Sequence, residues 1–484
     1  MLFNSFTFIV FFIAVSALYF VLPHKIRWIL LLAASCIFYM AWNPKLIILI
    51  LITIFINYTA ALYIYKYKKQ KGKKILILTL FIDFGLLFIF KYLGFMNDTL
   101  LALFGDNWPI KTLNIILPMG ISFYTFQAAS YTIDVYRGTI KPERHFGIFA
   151  LFVMFFPQLV AGPIERSENL LPQFYEKHKF DFERIISGLR IMMWGFFKKI
   201  VIADRAATAV NAIYNSAQSY SGLYLVIATV LFAFQIYCDF SGYSDIAKGC
   251  ARVLGFRLMD NFKNPYLSGS IKEFWRRWHI SLSTWFMDYI YIPLGGNRAG
   301  KLKKYRNLIV TFLISGLWHG ANWTFVLWGG IHGIYQVVGQ MTYGFRTKVK
   351  KALHIYDSFI GKLLSAIVTF GLVCIGWVLF RANTISDAFY IFEHLGTAFT
   401  GWWNMQYVYE VITGLGMNIF ELIVTATAII FLMATEMLCG SKPVYDVIEK
   451  KNAVVRIIFY LITAAFILSA GVFYEAGAFI YFQF

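Results

Sequence analysis

Apolar residues in this chain come in long runs, separated by short stretches where Lys, Arg, Gly and Pro collect. Several runs approach the ~20 residues that an α-helix needs to cross a hydrocarbon layer. In order, the pattern predicts helices over residues 6–22, 28–42, 46–63, 75–90 and 113–136. Residues 146–160 are apolar but short, and the Gly162–Pro163 pair follows at once with charged residues behind it. Such a piece reads as a partial or re-entrant segment, tolerated at membrane depth only against protein or a water-filled cavity. Residues 185–202 are amphipathic, carry Arg190, Lys198 and Lys199, and read as a helix lying at the inner interface. A further crossing covers 222–243, where Gln235, Asp239 and Ser241 are expected to face protein. Beyond it come 308–318, 323–338, 360–380, 418–438 and 457–472. The prediction is an all-α polytopic membrane protein with about ten to twelve crossings, given ordinary error in helix boundaries. It is read as one membrane domain over 1–484, with N-terminal helices (1–136), a core (137–340) and C-terminal helices with a tail (341–484).

The polar stretches orient the helices. Basic loops at 24–27, 66–74, 136–145, 301–306, 346–351 and 442–456 are expected on the cytoplasmic side. The turn at Asn43–Pro44 and a loop holding Asn97, Asp98, Gly105 and Asp106 then lie outside, as do both chain ends. The first run has no basic residue before it and no small-residue cleavage site after it, so it reads as a retained helix.

Composition sharpens this. Charged residues make up 14% of the chain, against about 25% in soluble domains, too few to cover a water-facing surface. A net charge of +19 would point to nucleic acid in a soluble protein. Here the cations sit in short loops and set topology, so no nucleic-acid partner is expected and the lipid bilayer is. The five cysteines are scattered and match neither a metal site nor a disulfide framework.

Candidate chemistry concentrates in residues 274–333, which hold FWRRWH, DYIYIPLGG, LWHG and IHG, and three of the eight histidines. If its helix starts near Asn307, His319 lies about 18 Å up from the inner face, past the middle of a core about 30 Å thick. A helix pair turning at Gly320–Asn322 leaves a recess above its tip, through which water and an acceptor can reach the ring. The imidazole is then a general base for an attacking hydroxyl; the alternative is a buried histidine bonded to a neighbouring helix. In FWRRWH, helical spacing puts Trp275, Trp278 and His279 on one face. Arg276 and Arg277 suit the phosphates of a donor, or else form an Arg/Trp belt at the lipid headgroups. Asp288 and Asp239 orient a ring or pair with Arg, and His332 packs a helix contact with Gly329, Gly330 and Gly333.

QIYCDFSGYSDIAKG (235–249), NPYLSGSIKEFWRRWHISLSTWFMDYIYIPLGGNR (264–298) and SGLWHGANWTFVLWGGIHG (315–333) together resemble the membrane-bound O-acyltransferase family, in its bacterial alginate O-acetylase-type branch. PMGISFYTFQAASYTIDVYRG (118–138) and FFPQLVAGPIER (155–166) fit the same branch. The resemblance implies a ring of helices around a central funnel in a bacterial cell membrane. It implies that His319 is the catalytic histidine and His279 the second, cytoplasmic-side histidine. Trp275, Arg276, Arg277, Asp288 and Asn322 are then candidates for binding substrate, and Asn322 and Trp323 lie near enough in sequence to donate hydrogen bonds. The implied reaction moves an acyl group, acetyl for preference, from a cytosolic thioester such as acetyl-CoA to hydroxyls of an extracellular or cell-wall polysaccharide. The thioester is already activated, so neither a metal nor a bound cofactor is called for. An extracellular SGNH-type, esterase-like acyltransferase is the implied partner. The tail FIYFQF resembles a short aromatic motif of this branch, by which Tyr481 would carry the acyl group as an ester; the alternative is an aromatic belt at the outer interface. Two rival functions remain: D-alanyl transfer to teichoic acid, and a transporter. The chain lacks the paired Gly/Pro-broken helices that transporter repeats show.

Overall fold

The computed structural model describes residues 1–67, 70–105, 108, 110, 115–159, 162–298, 300–356, 358–473 and 480. Among them the regular structure is helical throughout, with no strand. Among the described residues six helices are long and apolar enough to cross a membrane: Pro44–Tyr67, Gln70–Phe104, Leu223–Leu254, Phe359–Arg381, Ile419–Cys439 and Ala453–Ala470. Large apolar side chains on them, such as Phe81, Ile430 and Leu461, are more than half exposed, as lipid-facing residues must be. The protein is an all-α, multi-pass membrane protein. Shorter helices occupy other predicted crossings: Phe6–Val21 has 16 residues and Ile121–Arg137 has 17.

Helix starts follow local chemistry. Ser5, Asn322, Ser358, Thr384, Asn404 and Asn452 each accept a backbone N–H of the first turn. Asn418 forms a full capping box with Glu421.

Two expectations need correction. The loop assigned to Asn97 and Asp98 is helix, because the chain from Gln70 runs on through a π-helical turn at Phe88–Tyr92 to Phe104. Asn97 is buried there, and its Oδ1 accepts from the Trp108 indole at 2.8 Å, so its polarity needs no loop. The 185–202 stretch is not an interfacial helix. It spans the end of the helix Phe182–Phe196 and a π-helical segment, Phe197–Ala203, every residue of which is buried, Lys198 and Lys199 included. Both ammonium groups have polar partners, described below, which is what lets them leave the interface.

The chain divides into two compact units. The first comprises Met1–Met192 and Ser244–Met259. Its helices Ile47–Tyr67, Gln70–Leu87 and Ile121–Arg137 are joined by a buried polar relay: Thr132 donates to Asn57 at 2.6 Å, and Asn57 Nδ2 reaches both Asp83 oxygens at 3.0 and 2.9 Å. The short apolar piece is a helix of nine residues, Phe146–Met154, too short to cross. Beyond it Glu165 is fully buried, accepting from Asn169 and from the Met259 amide.

The second unit, Met193–Tyr243 with Asp260–Phe484, holds His279, His319 and His332. Its frame is the hairpin of Lys301–His319 and Trp323–Met341. Glycine lets these two backbones touch. A Cβ on Gly316 would lie 2.2 Å from the Phe325 carbonyl oxygen, and one on Gly329 would lie 2.3 Å from that of Phe312. This is the small-residue packing by which helices associate in lipid. Gly329→Ala should therefore lower the stability of the detergent-solubilised protein by about 1–3 kcal/mol, as overpacking does. Gly330→Ala, whose new methyl meets only Leu313 Cδ2 at 3.5 Å, should leave the thermal midpoint unchanged.

Candidate active site

His319 is the last residue of its helix, and the chain leaves it through extended Gly320. That puts the imidazole at a helix end, where it is released from the i→i+4 stacking of side chains. Trp318, Trp328 and Phe380 meet it edge-on at centroid distances of 5.0, 4.9 and 5.6 Å. The fourth wall is His279, whose ring centroid is 6.3 Å away. His319 is 3% exposed and His279 is fully buried. The water-accessible recess expected above His319 is thus closed in this structure, because aromatic rings fill the space where two helices turn.

His279 reaches this place through a broken helix. Trp275, Trp278 and His279 do not share one helical face as the spacing suggested. The helix Ile271–Arg277 ends, and His279 adopts the left-handed conformation at φ 43° before the next helix, Ile280–Phe286, begins. A non-glycine residue there is uncommon and is held by its surroundings. Asn261 does much of the holding: its carbonyl accepts the Ile280 N–H at 3.0 Å, and its side chain accepts the Ser281 N–H and hydroxyl at 3.2 and 2.7 Å. The Lys263 N–H, donating to the Arg277 carbonyl at 2.9 Å, fastens the other side of the break. Phe240 packs edge-on against the His279 ring at 4.5 Å.

Asp239, the residue just before Phe240, belongs to a charge cluster. Lys199 Nζ sits 2.6 Å from Asp239 Oδ1 and 2.7 Å from Asp204 Oδ1, with all three side chains almost fully buried. Asp239 is ion-paired, but with Lys199 and not with the arginine expected. Lys198, beside Lys199 on the π-helical segment, donates to Ser241 at 2.9 Å. Tyr237 donates to the buried carboxylate of Glu436. Sequence reasoning read Lys199 only as an interfacial cation and passed over Asp204, Glu436 and Asn261. The signal available was two adjacent lysines in the apolar run FFKKIVIA and a lone aspartate in QIYCDF, charges that must meet something of opposite sign inside lipid.

The remaining candidates separate. Trp275 is buried, and its indole N–H donates to His332 Nδ1 at 3.3 Å. His332 is itself fully enclosed, with Nε2 facing Gly376, where an added Cβ would stand 2.7 Å away. Its assignment as a packing residue fits. Arg276 is exposed, whereas Arg277 is tied to Glu273 at 2.5 Å. Asp288 is half-buried in the π-helical turn Met287–Tyr291, roughly 13 Å along the helix from His279 at 1.5 Å per residue. Asn322 caps its helix by accepting the Thr324 N–H and donates to the Asn383 carbonyl at 3.3 Å, while Trp323 is about half exposed. Tyr481 lies outside the described residues.

Fold and site define an integral membrane protein built around two imidazoles in a dry aromatic setting. Residues 37–375 match the membrane-bound O-acyltransferase family. The chain is 39% identical over 400 residues to the probable alginate O-acetylase AlgI of Pseudomonas aeruginosa, covering 81% of this chain and 74% of that protein. It is 37% identical over 425 residues to a peptidoglycan O-acetyltransferase of Helicobacter pylori, covering 80% and 78%. A teichoic acid D-alanyltransferase of Bacillus subtilis is 26% identical over 318 residues, covering 61% and 78%. The chain belongs to the membrane-bound O-acyltransferase family and is an acyltransferase.

The Asn322 geometry yields a direct check. Asn322→Ala removes a helix cap and should cost about 1 kcal/mol of stability, and Asn322→Ser, which can still cap, should recover most of it. Thermal unfolding of the purified protein in detergent measures both.

Proposed function

We propose that the protein is a membrane O-acetyltransferase that moves an acetyl group from a cytosolic thioester, acetyl-CoA, to hydroxyls of an extracellular or cell-wall polysaccharide, with His319 as general base. The observation carrying this reading is the apposition of His279 and His319, 6.3 Å apart between centroids, inside an aromatic enclosure. Hydrogen bonds of about 2.8 Å on either side would let one hydroxyl oxygen lie between the two rings and reach both. Neutral His319 then takes the proton as the hydroxyl oxygen attacks the thioester carbonyl. The carbon–sulfur bond breaks, the ester bond forms, and the imidazolium returns its proton to the leaving thiolate. A dry surround strengthens every dipole aimed at the developing oxyanion, since there is no water to compete. Because the ring is 3% exposed, the reading requires the aromatic wall to open when donor and acceptor arrive.

Acetyl is preferred over D-alanyl because the acetylating relatives align over about 80% of the chain and the D-alanyl relative over 61%. Transfer in two steps, with Tyr481 holding the acetyl group as a phenyl ester and an extracellular SGNH-type partner completing delivery, is the second element of the reading. It divides one transfer across a membrane into two shorter ones. The basic loops support the topology, with donor on the cytoplasmic side and acceptor outside.

Proteoliposomes supplied with labelled acetyl-CoA test this. His319→Ala should lower acetyl transfer roughly 10²–10⁴-fold, the range a general base supplies. Full transfer by that variant would end the assignment. Tyr481→Phe keeps the aromatic ring and removes the hydroxyl, and it should abolish the labelled protein-bound ester along with product. Preference for a D-alanyl thioester over acetyl-CoA would move the protein to the other substrate class.

A further inference from the structure

The first unit carries a cavity of about 680 Å³ for which the acetyl-transfer chemistry has no use. Small-molecule sites occupy about 300–1,000 Å³, so its size is that of a binding site. Its lining joins Tyr65, near the end of the helix Ile47–Tyr67, to the loop 140–144 and to the short helices Ser167–Leu170 and Pro172–Tyr175. The loop is fastened by its own hydrogen bonds. The Glu143 N–H donates to the Tyr131 hydroxyl at 2.8 Å, the His145 N–H to Glu143 Oε1 at 2.7 Å, and the Tyr58 hydroxyl to the Arg144 carbonyl. The Tyr175 hydroxyl also donates to Glu143 Oε1, at 2.8 Å. A wall held in this way is preorganised, which lowers the ordering cost of binding.

The polar lining is what singles this cavity out. Lys141 and Arg144 share it with Glu143 and Glu168, so both signs of charge are present in equal number. Among the described residues, the side chains of Lys141, Arg144 and Glu168 have neither a hydrogen-bond nor an ion-pair partner. Ser167 is 5% exposed, and its hydroxyl is likewise without a partner among the described residues. A hydroxyl so enclosed is normally hydrogen-bonded, and this residue lines the cavity. Opposite charges that share a space without pairing suit a ligand that carries both signs itself. A purely anionic ligand meets Glu168 unfavourably, and a purely cationic one meets Lys141 and Arg144. Depth narrows the choice. Tyr65 lies in the last turn of the span Pro44–Tyr67, and Tyr63, Tyr65 and Tyr67 are all exposed there, as in the aromatic belts at headgroup level. The loop 136–145 is one of the basic stretches read as cytoplasmic.

We propose that this cavity binds the headgroup of an inner-leaflet phospholipid bearing both a phosphate and a primary ammonium, as phosphatidylethanolamine does. Lys141 and Arg144 take the phosphate oxygens, and Glu168 and the Ser167 hydroxyl accept the ammonium N–H groups. A trimethylammonium headgroup has no N–H to give them, and a glycerol headgroup leaves Glu168 without a counter-charge. The site thus separates phosphatidylethanolamine from phosphatidylcholine by hydrogen bonding and from phosphatidylglycerol by charge. The inference is independent of the acetyl-transfer reading.

The test uses the full-length protein in detergent, with the three lipids added in turn and bound lipid measured by native mass spectrometry. The parent should hold phosphatidylethanolamine about tenfold more tightly than either other lipid, the discrimination that a charge-assisted hydrogen bond supplies. Glu168→Gln should erase the preference over phosphatidylglycerol, and Ser167→Ala should narrow the preference over phosphatidylcholine. Arg144→Gln should weaken phosphatidylethanolamine about tenfold. Glu168 and Arg144 are exposed, so their replacement leaves folding intact. Lys348→Gln, in another basic loop, should bind as the parent does. A parent without headgroup preference, a preference for phosphatidylglycerol, or parent-like binding by both Glu168→Gln and Arg144→Gln overturns the proposal. Displacement of the lipid by an equal concentration of soluble phosphoethanolamine, which has no acyl chains, also overturns it and makes the site one for a free zwitterion.

Discussion

A charge inside an apolar wall has to be answered by protein, because lipid offers it nothing. Lys199, lodged between Asp204 and Asp239 with almost no exposed surface, is where this constraint acts most strongly here. Removing one member of such a group typically costs about 3–5 kcal/mol, since the partner is left charged and alone. The pair therefore fixes the π-helical segment 197–203 against the helix of Asp239, and the Ile480 amide completes the carboxylate's shell. The same rule orders the first unit, where Asp83 is met by Asn57 and Asn57 by Thr132. Polar groups in both units serve as fasteners between helices that expose large apolar side chains on their outer faces.

The histidine pair obeys the opposite economy. Its neighbours are rings: Phe240, Trp318, Trp328 and Phe380. Rings of this kind exclude water, so a base placed among them acts without competition from solvent. Aromatic walls add a second property, since flat side chains can swing about two torsions and admit a substrate without moving the helices.

Irregular backbone appears where chemistry is placed. π-Helical turns occur at 88–92, 197–203 and 287–291, and the left-handed residue His279 separates two short helices. Of these, the 197–203 segment is buried at every residue, and the left-handed His279 is fully buried too, so packing holds both. The hairpin that carries His319 instead uses regular helices with glycine at the contact, so that two backbones approach within carbonyl-to-Cα distance. One histidine sits on a rigid, regular support and the other on a strained turn.

Much of this was legible in the chain. Hydropathy alone marks the spans, and capping residues such as Asn418 and Ser358 mark where they start, because helix ends are decided within a few neighbouring residues. The isolated polar positions Gln235, Asp239 and Ser241 announced their burial, since nothing else is compatible with an apolar run. The motifs carrying His279 and His319 named the family, which the match over residues 37–375 bears out. What the chain did not disclose were matters of long range. Lys199 looked like an interfacial cation until a residue 40 positions later in sequence came to pair with it. His279 looked helical until Asn261, from another turn, bent the backbone beneath it. His319 looked open to water until Phe380, from a distant helix, covered it. Local structure is written by neighbours in sequence, whereas the state of a charge, the strain of a turn and the dryness of a ring depend on atoms that only folding brings near.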